Sequence, residues 1–403
     1  MELGPTFRAM TRNRARFVLI VLEVALTLAL VVNCVTLILD ARAQIARSSG
    51  FDEENLILVR TSPVEDAFKE EAYRNRVTDA DVEALAAMPG VRAASHTGLR
   101  PWGNGLSMTA LQRPGQQGRE SIGSQIYAAD PHIFETLGVE LSAGRTFTAE
   151  EYEIDPDAAV VPAVISQKLA EAIFPDGGAL GKKVTYPGDE EHSFLIVGIV
   201  DRFYKPSRDG GERVIFAPGR SNSYEFGSDY LVRTEPGQMR AVLADLESTL
   251  TRVDAGRTFE LQTIPELRRE SQARNRVLIV ALNSVMGLLL LVTALGIVGL
   301  TSFSVTERRR QIGTRRALGA TRGDVVRYFL VENWLVTTCG VVLGIGMAIG
   351  LNIGLVNLVE GNRIAWPVLA AGVALLWLIG LASTLGPALR ASQVPPAIAT
   401  RNV

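Results

Sequence analysis

The run VLIVALNSVMGLLLLVTALGIVGLTSFSVT, residues 277–306, contains no Asp, Glu, Lys or Arg. It exceeds the roughly 20 apolar residues that a helix needs to span a hydrocarbon core. Two more charge-free runs follow at 334–359 and 364–389, and a fourth, Phe17 to Leu39, is interrupted only by Glu23. The expected fold is therefore an α-helical membrane protein with four transmembrane helices, at 17–39, 277–305, 331–359 and 364–389. The first run also resembles a cleavable signal peptide, led by Arg8, Arg12, Arg14 and Arg16 and followed by Ala41-Arg42-Ala43. Its 23 residues outrun the roughly 7–15 of a signal core, so a retained helix is the better reading.

The averages of the 403-residue chain, a net charge of -2 and 47% hydrophobic residues, hide this division. Residues 40–275 carry charges throughout and read as a soluble region that crosses the membrane. Orientation follows from the Lys/Arg bias of short flanks. Four arginines precede the first span, seven lie in 306–330 and Arg390 and Arg401 follow the fourth. These place both the N-terminus, 1–16, and the tail, 390–403, on the cytoplasmic side of a multi-pass membrane protein, with 40–275 outside.

The outer region repeats a pattern. ENLILVR, TDADVEALAAM and GVRAASHT read as strand, helix and strand, with Thr78 as the helix N-cap and Pro89-Gly90 as its stop. DYLVRTE, PGQMRAVLADLESTLTRV and TFELQTI repeat the order, and Met239, Val242, Leu243, Leu246 and Leu250 fall at helical spacing. The expected architecture is a split α+β domain: two βαβ halves, about 50–97 and 226–270, brought together around a β-rich insertion at about 98–225. SFLIVGIVDRF and VIFAP are its clearest strands.

Chemistry is scarce. Cys34 and Cys339 fall inside spans, and His96, His132 and His192 are far apart, which leaves no zinc spacing. GGALGKKV, 177–184, lacks the glycine five residues before Gly181 and the Ser/Thr after Lys182 that a phosphate loop requires, so it reads as a turn. No catalytic motif, cofactor site or metal site is expected, and the acidic residues Glu150, Glu151, Glu153, Asp155 and Asp157 read as a solvated loop. Glu23 is read as an intramembrane pairing group. Gly340, Gly344, Gly346, Gly350 and Gly354 form four-residue rows that let membrane helices approach closely.

The segment TERRRQIGTRRALGATRGDVVRYFL, 306–330, puts seven arginines between two greasy runs. The second membrane helix is expected to continue through ERRRQIGTRRA to Gly319, and Thr321 with Asp324 to cap a new helix that runs into the third span. Basic residues suit an anionic lipid face, but lipid alone does not account for Ile312, Ala317 and Leu318. A tight turn against a bilayer is a poor nucleic-acid surface. A protein partner accounts for both the charges and the apolar side chains.

These residues also carry a family resemblance. ERRRQIGTRRALGATRGDVVRYFLVEN resembles the cytoplasmic signature of FtsX-like permeases of the MacB-type ABC transporters, the type VII mechanotransmission family. ADPHIFETLGVELSAGRTFT, AVISQKLAEAIFPDGGALGKKV and FLIVGIVDRF resemble its periplasmic core domain, and PALRASQVPPAIATR its tail. The resemblance implies a coupling contact with an ABC ATPase, present in two copies and holding ATP and Mg, at Ile312, Gly313, Arg315, Arg316, Ala317, Leu318, Gly319 and Ala320. It also implies a second permease chain, identical or paralogous, and admits a periplasmic adaptor. The macrolide exporter carries its ATPase ahead of the first span. Here about sixteen residues precede that span and no Walker A motif is present, so the ATPase is expected on another polypeptide, and this chain as a transport subunit and not an enzyme. Efflux of an antibiotic, a peptide or another small molecule is the expected function. A lipoprotein-releasing permease and a non-transporting regulator of a periplasmic partner are its rivals.

Overall fold

The computed structural model describes residues 14–102, 108–115, 121–155, 158–189, 191–205, 211–359 and 363–395. It separates into two compact units, one of Arg47–Ala273 and one of the remaining N- and C-terminal segments.

The chain opens with helix α1, Arg14–Ala46, followed by β1, Leu56–Pro63, α2, Glu71–Ala86, and β2, Val91–His96. Next come β3, Met108–Leu111, β4, Ile122–Ala129, α3, Ile133–Leu137, β5, Leu141–Gly144, and α4, Ala149–Tyr152. β6, Val160–Ser166, α5, Gln167–Ile173, β7, Lys183–Val184, β8, Ser193–Val200, and β9, Val214–Pro218, complete the insertion. The chain then returns through β10, Asn222–Ser223, β11, Gly227–Thr234, α6, Met239–Val253, and β12, Arg257–Thr263.

The first sheet interleaves the two halves of the outer unit. β1 pairs antiparallel with both β11 and β12, and β11 pairs antiparallel with β2 and β10. Each βαβ half thus brackets a strand of the other, and neither half forms this sheet alone. Strand alternation explains the apolar run Leu56-Ile-Leu-Val59. Ile57 and Val59 pack against α2 and α6 with Leu85, Val242 and Leu246, while Leu56 and Leu58 face the insertion and meet Phe134, Val164 and Phe216. The insertion forms a mixed second sheet, β3-β4-β9-β6-β8-β5, with β7 on β8.

The first helix differs from its sequence reading. It begins at Glu71, and Thr78 lies buried in its interior, accepting a hydrogen bond from Asn222 Nδ2 at 3.0 Å. Asp81, three residues after Thr78 and so placed to imitate a first-turn acid, is fully buried and is bonded to Arg257 and Tyr230. A buried acid on a helix face looks like a start signal when its cation lies 176 positions away.

His96 ends β2 fully buried, with neither ring nitrogen in normal hydrogen-bond geometry. Burial pushes its pKa down to about 4, and the backbone of Ser221 only partly opposes that shift. The unfolded ring binds protons near 6.5, so stability is full above that pH and is lost as pH falls from there towards 4. By pH 5 the outer unit should have lost about 2 kcal/mol. Urea midpoints of the full chain between pH 7 and 5 check this, and His96→Leu should flatten that part of the profile.

The remaining chain is helical: α7, Ile264–Glu307, α8, Arg309–Ala317, α9, Arg322–Val359, and α10, Trp366–Ser392. Among the described residues, α1, α7, α9 and α10 are long and apolar enough to cross a membrane. α7 begins well before the apolar run at Val277, so its 44 residues extend about 66 Å, more than twice a hydrocarbon core.

Packing in this unit is uneven. Val24, Leu28 and Val32 of α1 meet Val336, Val341 and Ala348 of α9 and Leu369 and Leu376 of α10. The apolar window of α7 is only 6% buried. It is attached through Thr27 Oγ1 and Thr293 Oγ1, 2.7 Å apart, and through Glu23, whose carboxylate lies over Gly296. Glu23 is read as an intramembrane pairing group, yet among the described residues it has no ion pair and rests against glycine.

The glycine rows divide. A Cβ on Gly340 would meet Val24 Cβ at 2.7 Å, and one on Gly344 would meet the Ala25 backbone at 3.0 Å. Gly346, Gly350 and Gly354 are exposed, with nothing within 4 Å of such a Cβ. Of the five, only the first two press on a neighbouring helix within this chain. At 3.6 residues per turn the contact row continues from Gly344 to Ala348, which turns the other three outward.

Candidate functional site

The arginine segment forms a braced hairpin of helices. α7 stops at Glu307, Arg308 leaves helical geometry with φ -97° and ψ 12°, and α8 begins at Arg309. The continuous helix expected from the sequence is therefore broken. Arg308 explains the break: its Nη1 lies 3.0 Å from both carboxylate oxygens of Glu332 on α9 and 3.4 Å from the Tyr328 hydroxyl. Arg308 is thereby tied to α9.

α8 closes in a Schellman turn. The amide of Gly319, at φ +101°, donates to the Arg316 carbonyl at 3.2 Å, and the amide of Ala320 donates to that of Arg315 at 3.1 Å. The positive φ favours glycine at this position. α9 then starts with a capping box: the Thr321 amide donates to Asp324 Oδ2 at 3.0 Å, and the Asp324 amide to Thr321 Oγ1 at 3.2 Å. The Thr321 hydroxyl, donating to Asp324 Oδ2 at 2.6 Å, and the Thr321 amide hold the Asp324 carboxyl below its usual range.

The eight residues proposed as a partner contact do not share one surface. Ile312 is 6% exposed and packs with Val325, Phe329, Ala388, Ala391 and Val394, and Gly313 is buried beside it. Both face inward, because the helical face that carries Ile312 is covered by α9 and α10. Arg316 Nη1 donates to the Val394 carbonyl at 2.7 Å, just past the end of α10. Arg315 is exposed, its guanidinium 4.9 Å above the Tyr328 ring. Leu318 is 83% exposed at the tip, beside exposed Ala317 and Gly319. The outward set is thus Arg309, Arg310, Arg315, Ala317, Leu318 and Gly319, an apolar tip ringed by guanidinium groups. Sequence reasoning missed the ties of Arg308 and Arg316, whose partners lie 24 and 78 positions away.

The outer unit holds a separate cleft of about 460 Å³. Asp79 and Glu83 of α2, Arg92 of β2, His132 just before α3 and Glu135 within it line the cleft. Arg220 closes one end, reaching Asp79 at 3.0 Å and Glu153 at 2.6 Å with its guanidinium 4.5 Å above the Tyr152 ring. That contact holds the Glu153 carboxyl below its usual range. Glu151 pairs with Arg145 at 2.6 Å and completes a capping box with Thr148. The acidic stretch read as a solvated loop is therefore partly structural, its cations lying outside it. Among the described residues no cluster of His, Cys, Asp and Glu could hold a metal ion.

Comparison with known proteins agrees with this layout. The family model for the MacB-like periplasmic core domain matches residues 17–249, and that for the FtsX-like permease C-terminal region matches 283–396. The chain belongs to the MacB-like, FtsX-type permease family. This permease is 24% identical to the uncharacterized ABC transporter permease YknZ of Bacillus subtilis, over 82% of this chain and 80% of that one. It is 23% identical to the macrolide export ATP-binding/permease protein MacB of Bdellovibrio bacteriovorus, over 99% of this chain and 61% of that one. Identity to the pyoverdine export ATP-binding/permease protein PvdT of Pseudomonas aeruginosa is 25%, over 98% and 57%. The permease thus spans about three-fifths of the MacB and PvdT relatives and four-fifths of YknZ. The crystal structure of the periplasmic region of MacB from Actinobacillus actinomycetemcomitans aligns with 56% of the permease and 97% of that chain, at 14% identity and a TM-score of 0.36. The chain is accordingly an ABC transporter permease, a membrane protein with an extracytoplasmic domain.

Proposed function

We propose that this permease couples ATP hydrolysis on a separate ABC ATPase to a change of shape in its outer domain, and so drives export of a substrate already outside the membrane. The arginine segment is cytoplasmic in this reading, both termini lie on the same side, and the outer domain is periplasmic in an inner-membrane protein. Two ATPase copies, holding ATP and Mg, serve two permease chains. The relatives named for macrolide and pyoverdine export support efflux of a small molecule, with antibiotic, peptide and siderophore all compatible.

One observation carries this reading: Leu318 stands almost fully exposed on a turn that Arg308, the Thr321–Asp324 box and the Gly319 cap all hold in place. An exposed apolar tip has no reason to be braced unless it is presented to something. An anchor side chain in a ring of charge is the usual anatomy of a protein contact.

Leu318→Glu should weaken association with the co-expressed ATPase on the order of 30-fold, the loss of one ~2 kcal/mol anchor. Copurification and stimulated ATP hydrolysis in lipid nanodiscs measure this. Unchanged association together with unchanged hydrolysis would sink the coupling assignment.

A further inference from the structure

We infer that Arg316 and the segment just after α10 form a positioning pair that sets the angle of the coupling tip, so that the C-terminal segment takes part in coupling without touching the ATPase. This rests on the coupling function proposed above. Arg316 belongs to the arginine series that the sequence offers to a partner, yet its Nη1 is spent on the Val394 carbonyl at 2.7 Å. Val394 is itself 4% exposed and packs against the same cluster as Ile312, with Ala388 and Ala391 from the last turns of α10. Two contacts of different chemistry therefore join α8 to the end of α10, one charge-assisted and one apolar.

Their position gives them leverage. The tip at Leu318–Gly319 projects from the C-terminal end of α8, and Arg316 is the last tied residue before it. Among the described residues, the backbone there is otherwise held by local bonds, from Leu318, Gly319 and Ala320 back to α8 and within the Thr321–Asp324 box. Those bonds shape the turn but do not orient it against its surroundings. Arg316 supplies that orientation from α10, as Arg308 supplies it from α9. A push on the tip then reaches α9 and α10 through Arg308, Ile312 and Arg316. α7 joins the same cluster only at its last turns, through Val305, while its apolar window is scarcely packed in this unit.

The test uses the full chain in lipid nanodiscs, first alone and then with the co-expressed ATPase. Alone, Arg316→Met should raise hydrogen exchange at the Gln393 and Val394 amides about tenfold, the factor expected for one lost charge-assisted hydrogen bond. Those amides donate to the Arg390 and Ala391 carbonyls, so their exchange reports directly on the segment. With the ATPase, Arg316→Met should keep association within about twofold while stimulated hydrolysis falls about fivefold or more, and Arg316→Lys should recover most of it. Unchanged exchange in Arg316→Met would overturn the positioning pair. So would a parallel loss of association and stimulation, since Arg316 would then be a direct contact. Failure of the coupling function itself is read separately, from Leu318→Glu leaving association intact.

Discussion

Replacing Asp81 with alanine is expected to destabilise the outer unit by about 3–5 kcal/mol, because it strands a buried guanidinium. The Asp81 and Arg257 side chains are 0% and 1% exposed, and Arg257 donates to both carboxylate oxygens. The Tyr230 hydroxyl donates to Asp81 Oδ2 at 2.7 Å, and Arg257 Nη2 also reaches the Leu250 carbonyl at 3.4 Å. The pair joins α2 of the first βαβ half to β12 of the second, so its loss acts at the seam between them. Arg257→Met should cost a similar amount by leaving the carboxylate buried and unpaired. The double variant Asp81→Leu/Arg257→Met should recover most of the loss, since an apolar pair of similar volume carries no desolvation cost. Urea unfolding of the full chain, followed by hydrogen exchange in β1, β11 and β12, measures all three. Single variants costing under about 1 kcal/mol would mean that water reaches the pair.

What was legible in the sequence was whatever a single element decides. Leu56–Val59 is a strand because its alternate residues feed two cores, and that shows as an unbroken apolar run. The four membrane helices show as length and absence of charge. Thr321 and Asp324 show as a cap because both partners lie within one turn. What was not legible depends on which face of an element meets another. Ile312 sits among arginines and reads as surface, yet α9 and α10 cover it. Arg308 and Arg316 resemble Arg309 and Arg310 in the chain, and only their distant partners, Glu332 and Val394, set them apart. Thr78 and Asp81 imitate a helix start for the same reason. The segment could therefore be singled out as a candidate from sequence, while its division into brace and exposed tip is visible only in the packing.

The membrane helices give the sharpest test of that distinction, because glycines of one spacing should behave oppositely. Gly340→Leu and Gly344→Leu should each cost about 1–3 kcal/mol as overpacked contacts, and more together. A Cβ alone at Gly340 would come within 3.0 Å of the Val21 carbonyl as well as Val24, and one at Gly344 within 3.0 Å of Leu28 Cβ. α1 cannot retreat cheaply, because Asn33 Nδ2 donates to the carbonyls of Ala29 at 2.8 Å and Ala348 at 3.2 Å. Asn352 Nδ2 reaches Asn33 Oδ1 at 3.3 Å, one turn further along α9. Moving α1 outward to admit a leucine would unmake the two bonds to α9, Asn33–Ala348 and Asn352–Asn33, in hydrocarbon, where the freed groups have no water to turn to. Gly346→Leu and Gly350→Leu, on the outward face, should stay within about 0.5 kcal/mol of the parent chain. SDS titration of the purified permease, with cross-linking of cysteines introduced on α1 and α9, separates the two groups. If Gly346→Leu proves as costly as Gly344→Leu, the contact row does not run from Gly340 through Gly344 to Ala348, and the α1–α9 packing described above is wrong.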